Sequence, residues 1–149
     1  MGYAGAWKQA QTAVAQAREE TQRLNVGFAE EHLRNRQETY HQFLKTLREL
    51  DAYLVGQAPL DPTVLAEWRD RYNLYRAGID LFGAPTVIAA TNAVGGALGK
   101  AMPRVTLESE VAQKRMRETF YTHRAELHEA RAALTAAMRA DVAVPYTGE

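Results

Sequence analysis

Residues 81–99 read LFGAPTVIAATNAVGGALG, and no charged side chain interrupts them, although Arg and Glu crowd both flanks. The fold turns on whether this stretch is a membrane span, a phosphate loop or the interior of a helical bundle. A span needs about 20 apolar residues in a row. Gly83 and Pro85 interrupt the stretch near its start, and the helical remainder carries Asn92 and two threonines. A phosphate loop needs a first glycine where Val94 stands and Ser or Thr after Lys100, where Ala101 stands. The bundle reading remains. Val87, Ile88, Thr91, Val94 and Leu98 make a core face. The surrounding Ala and Gly leave little bulk, so several neighbours are expected to approach this helix closely.

Working outward, punctuation separates four helical patterns. The first runs from about Gly5 to Val55 and carries its clearest stripe at Leu33, Tyr40, Phe43, Leu44, Leu47, Leu50 and Leu54. Gly56 is placed to end it, and Pro59 follows. In LDPT, Asp61 suits an N-cap and Pro62 a first turn, where a missing N–H costs nothing. The second helix then shows Leu65, Trp68, Tyr72, Tyr75, Ile79 and Phe82, and Gly83 ends it. Pro85 opens the third, which Pro103 closes. Thr106 is the expected cap of the fourth, which reads Met116, Phe120, His123, Leu127, Ala130, Leu134 and Ala137, flanked by Val111 and Met138. No alternation is long enough for a strand. The expectation is an all-α antiparallel four-helix bundle with a long N-terminal helix: an arm over residues 1–32, the bundle over 33–142 and a disordered tail over 143–149.

At about 1.5 Å per residue the first helix would reach roughly 75 Å, against about 54 Å for the fourth and less for the others. Its overhang still has a seam, Trp7, Ala10, Val14, Ala17, Thr21, Leu24 and Phe28, in alternating steps of three and four. The stripe slips before Leu33, close to Gly27. Three outcomes follow: pairing with a second copy through Trp7, Val14, Leu24 and Phe28, folding back after a break near Gly27, or a solvated arm. Pairing is favoured, because an isolated helix of this kind is marginal without a partner.

The totals remove several function classes. A chain of 149 residues is most simply one domain. With no cysteine it has no disulfide frame, thiolate metal site or thiol nucleophile. Lys+Arg and Asp+Glu balance at 18 each, so nothing pulls the whole chain toward nucleic acid. The basic clusters RNR (34–36), RDRYNLYR (69–76) and KRMR (114–117) alternate with or border acids and read as paired, solvated charge. The opening MGYAGAWKQAQTAV lacks the basic start and apolar run of a secretory signal, and the expected compartment is the cytoplasm.

Catalytic and metal constellations are weak. Glu38 and His41 form one E-x-x-H pair, but a di-metal bundle needs two with further inward carboxylates. Ser109 is the only serine, and no nucleophile–base–orienter trio can be assembled. Asp51 and Asp80 read as helix-end polarity, and His32 and His128 as surface residues. His123 lies inside the apolar stripe of the fourth helix, which reads as a core histidine bonded to Tyr40, Tyr72 or Tyr75. Trp68, Tyr72, Tyr75 and His123 are the candidate lining of a ligand pocket, with a core stripe as the plainer use. No catalytic residue, metal ligand or cofactor is assigned. The favoured reading is a non-enzymatic assembly or interaction module, a homo-oligomer with the dimer favoured or a binder of another protein, without a transmembrane span. A ligand-binding or enzymatic bundle is the rival.

Three segments, RNRQETYHQFLKTLREL, YNLYRAGIDLFGAPTVIAATNAVGGAL and ETFYTHRAELHEARAALTAAMRADV, resemble a loose group of short helical proteins from high-GC actinobacteria and their phages. The likeness covers roughly residues 34–142. Some members place a hydrophobic anchor before the first shared helix, which implies a peripheral membrane or phage structural role as a third reading. Here AWKQAQTAVAQAREETQRL occupies that position and is too polar to span. The group supplies no activity and no functional residue to carry over.

Overall fold

A computed structural model describes residues 2–104 and 107–143. Among the described residues there are four helices and no strand: α1 Gly2–Val55, α2 Pro62–Phe82, α3 Pro85–Ala101 and α4 Glu110–Ala143. The chain divides into two compact units between Asn35 and Arg36. The first holds the α1 residues before Arg36, and the second holds the rest of α1 with α2, α3 and α4.

Helix ends follow the local chemistry. The Asp61 carboxylate accepts the Thr63 N–H at 2.8 Å, and Pro62 fills the first turn of α2. Gly83 closes α2 by donating its N–H to the Ile79 carbonyl at 2.7 Å. A Cβ on Gly83 would stand 2.6 Å from that same oxygen, so close approach calls for glycine here, at an ordinary φ of −72°. Met102 caps α3 through its N–H to Leu98, and Pro103 follows. At α4 the cap is Ser109, whose hydroxyl accepts the Ala112 N–H at 3.1 Å. Thr106, expected in that role, lies outside the described residues, as does the tail beyond Ala143.

The core of the second unit joins all four helices. From α1 it takes Tyr40, Phe43, Leu47, Leu50 and Leu54; from α2 Leu65, Trp68, Tyr72 and Ile79. From α3 it takes Val87, Val94, Ala97, Leu98 and Ala101; from α4 Met116, Phe120, Leu127, Leu134 and Met138. The connections contribute too, since Leu60, Met102 and Leu107 are buried. Phe82, read as a stripe residue, is exposed instead, as is Val111, which flanks the α4 stripe. Each stands at the last or first turn of its helix.

Polar contacts pin the helices at defined heights. Arg36 and Tyr40 meet Asp141 at one end, and Asp51 meets Arg124 and His128 toward the other. Trp68 donates its indole N–H to the Thr46 carbonyl at 2.7 Å, and Arg71 lies 3.4 Å from Glu49. Gln113 of α4 accepts the Leu60 N–H and donates to the Leu107 carbonyl.

The charge-free stretch resolves into α3 with one buried stripe, Val87, Thr91, Val94, Ala97, Leu98 and Ala101. Buried Thr91 hides its hydroxyl on the Val87 carbonyl at 2.8 Å. Small residues line the buried face, where Ala97 and Ala101 are covered, but close neighbours do not surround the helix as widely as their number had implied. Ala89, Ala93, Gly96 and Gly99 are exposed, and a Cβ on Gly96 or Gly99 would meet nothing within 4 Å. Of the glycines in α3, only Gly95 is closely approached, by the Arg76 guanidinium. Among the described residues no helix is long and apolar enough to cross a membrane.

Candidate functional site

Three regions carry the residues that the sequence singled out. The first is the apolar seam of the N-terminal unit. Residues 2–35 are helical throughout, Gly27 included, and a Cβ on Gly27 would meet nothing within 4 Å. Thr12 and Thr21 hide their hydroxyl donors on the carbonyls four residues back, each at 2.9 Å. Trp7, Val14, Leu24 and Phe28 are all more than half exposed, so four large apolar side chains at heptad spacing lack cover.

The second region holds Trp68, Tyr72, Tyr75 and His123. Trp68 and Tyr72, one helical turn apart, stack with ring centroids 5.3 Å apart, and Phe43 packs on Tyr72 from α1 at 5.2 Å. Tyr75 is half-buried against the core. His123 is half-buried rather than a core residue: its Nδ1 lies 4.0 Å from Glu126, which also pairs with Lys100 at 2.8 Å. The α4 stripe steps from Phe120 to Leu127, so His123 falls at its margin beside the charged rim. None of the three named tyrosines bonds to it: Tyr40 donates to Asp141, while the hydrogen bond from Lys100 is the leading cause that lowers the Glu126 carboxyl below its ordinary range.

Trp68 and Tyr72 instead border a cavity of about 270 Å³ between α2 and α3, which neither Tyr75 nor His123 reaches. Its remaining polar lining is Arg69, Asn73, Arg76 and Arg104, with no carboxylate among the lining residues. Arg76 lies against α3 because Gly95 has no Cβ; one there would stand 2.6 Å from its Nη1. Its other terminal nitrogen donates to Asn92 at 3.2 Å. The Tyr72 hydroxyl is buried with no acceptor for its proton. Burial is the main cause that pushes it above the ordinary phenol range, and Arg76, through its charge and its N–H donors beside the hydroxyl oxygen, opposes that shift.

The third region lies between α1 and α4. A groove of about 530 Å³ is bordered by His41, Leu44, Arg48, Arg131, Met138 and Arg139. Glu38 accepts from Gln42 at 2.9 Å, while His41 faces the groove, so the E-x-x-H pair is not gathered on one ligand. Among the described residues no group of three His, Cys, Asp or Glu side chains could hold a metal ion. Tyr40 donates to Asp141 at 2.8 Å and accepts the Ala84 N–H at 3.3 Å; burial first, then the Asp141 bond, pushes its hydroxyl up to about 12. Asp51, read as helix-end polarity, proves to be the anchor of a cluster. Arg124 grips it at 2.8 and 3.0 Å and His128 at 3.0 Å. The Arg124 hydrogen bond is the leading cause that holds its carboxyl below the ordinary range. The available signal was the four-residue spacing of Arg124 and His128, which places both on one face of α4.

The arginine clusters also divide. Arg36 pairs with Asp141 and Arg117 reaches the Ala58 carbonyl, whereas Arg69 and Arg104 make no ion pair among the described residues. Comparison with protein-family models, curated proteins and solved structures finds no match.

Proposed function

We propose that this protein is a non-enzymatic assembly module that pairs with a second copy of itself through its N-terminal helical arm. The observation that carries this reading is the exposed seam of Trp7, Val14, Leu24 and Phe28. A helix that buries none of its large apolar side chains gains little from its own residues beyond propensity, and it persists best against a partner. A second copy fits the charge of the arm. Residues 1–35 hold Lys8, Arg18, Arg23 and Arg34 against Glu19, Glu20, Glu30 and Glu31, four of each sign, so like arms meet without net repulsion.

In this reading the second unit is an antiparallel four-helix bundle, and the N-terminal helix is the long one. Side-chain contacts support that direction: residues 36 and 51 of α1 meet 141 and 124 of α4, and residues 39, 43 and 46 meet 78, 72 and 68 of α2. Short connections between successive helices favour the same arrangement.

The test is sedimentation of the intact chain beside a Trp7→Glu, Leu24→Glu, Phe28→Glu triple variant. The intact chain is expected at twice its monomer mass, with helicity that rises with concentration, and the variant at monomer mass. A monomeric intact chain at high concentration overturns the reading, as does a variant whose mass is unchanged. Association with only a different protein would replace the second copy with that partner.

A further inference from the structure

The cavity between α2 and α3 has the composition of an anion site. Three guanidinium side chains border it, none of them in an ion pair among the described residues, and no carboxylate lines it. A cluster of like charges beside a cavity is held against its own repulsion, and a bound anion relieves that cost. The decisive group is Tyr72. Its hydroxyl is buried, and its neighbour Arg76 can only donate, so the hydroxyl proton has no acceptor, although leaving a buried donor unpaired costs about 1–3 kcal/mol and is rare in a native fold. Phenylalanine would fill the same core position beside Phe43 and Trp68 without that cost. Gly95 adds a third, independent feature. A glycine in mid-helix is unfavourable, yet here it provides the room in which the Arg76 guanidinium lies beside the cavity.

We propose that this cavity binds a phosphate monoester, with Arg69, Arg76 and Arg104 neutralising the phosphate, Tyr72 and Asn73 donating hydrogen bonds to it, and Trp68 holding the apolar part of the ester. Guanidinium groups match tetrahedral oxyanions through paired N–H donors, and three of them suit a dianion better than a single carboxylate. The volume, about 270 Å³, suits a compact ligand. Leu98, Met102 and Pro103 complete an apolar wall that inorganic phosphate would leave unused.

Isothermal titration of the intact chain at fixed ionic strength, with phenyl phosphate, inorganic phosphate and phenol, tests the assignment. Phenyl phosphate binds, inorganic phosphate binds at least tenfold more weakly, and phenol does not bind; affinity for the ester strengthens as pH rises through its second ionisation near about 6. Arg104→Ala and Tyr72→Phe each weaken the ester by roughly tenfold or more, as loss of a charge-assisted hydrogen bond does. Tyr72→Phe keeps or raises the melting temperature, and Gly95→Ala weakens binding while leaving the fold intact. Arg48→Ala and Arg131→Ala, in the groove between α1 and α4, leave binding unchanged. The proposal is overturned if no ester binds, if inorganic phosphate binds as tightly, if the Arg104 and Tyr72 variants bind normally, or if the groove variants lose the ligand instead.

Discussion

Replacing two glycines by alanine should move stability in opposite directions. At Gly96 a Cβ meets nothing within 4 Å, so Gly96→Ala gains only helix propensity, about 0.5–1 kcal/mol. At Gly83 the new Cβ would stand 2.6 Å from the Ile79 carbonyl oxygen and 3.1 Å from the Ile79 Cγ2. Neither atom belongs to a flexible end: the oxygen is backbone, and the side chain is fully buried. Relief requires the α2 terminus to open and give up the 2.7 Å hydrogen bond from Gly83. Overpacking of this kind costs about 1–3 kcal/mol. The two variants should therefore differ by about 1.5–4 kcal/mol. At roughly 3 °C per kcal/mol for a chain of this length, that is about 5–12 °C in melting temperature. Urea unfolding at one fixed protein concentration gives the free energies, and the unchanged slope confirms that the unfolded states are comparable. A destabilised Gly96→Ala protein would refute the reasoning, because that face of α3 would then be covered by something outside the chain.

Three further outcomes can be checked. The Asp51 carboxyl is held below 3.8 in the folded protein, so its contribution is present above that value and is lost as pH falls through the lower folded value; Asp51→Asn should flatten the acid limb of stability against pH, measured by denaturant unfolding. The Tyr40 hydroxyl is raised to about 12, so its contribution fades as pH rises between 10 and about 12; Tyr40→Phe should remove the latest-titrating phenolate from the alkaline ultraviolet difference spectrum. Phe120→Ala should cost about 3–5 kcal/mol, because the ring is fully buried, while Val111→Ala should stay within about 0.5 kcal/mol, because that side chain is 62 % exposed; equal losses in thermal unfolding would contradict the core described above.

Legibility in the sequence followed the physics of each signal. Asp61, Pro62, Gly83 and Pro85 mark helix ends through local geometry, and all four act where the sequence places them. The stripes of Phe43, Ile79, Val94 and Leu134 were equally plain, because burial follows helical period. Periodicity fades at helix ends, and there Phe82, read in the stripe, is exposed. His123 was placed in the core because a stripe records angle around the helix and not depth, which Glu126 and Lys100 decide. Burial of Leu60, Met102 and Leu107 has no periodic signal, since they lie in connections. The small residues of α3 mark only that bulk is absent; whether a neighbour fills the space depends on Arg76, a side chain from another helix. Arg69 and Arg76 of RDRYNLYR read as solvated because acidic residues lie near them in sequence, while the cavity they border needs α3 as its other wall.

The side-chain amide of Gln113 has a consequence for handling the protein. It receives the Leu60 N–H at 3.0 Å and donates to the Leu107 carbonyl at 3.4 Å, so one residue buckles together two stretches that link helices. A reporter peptide spliced beside either buckle point would undo both at once. One inserted at Gln57 or Ala58, where the side chains are open to solvent, should leave the buckle closed.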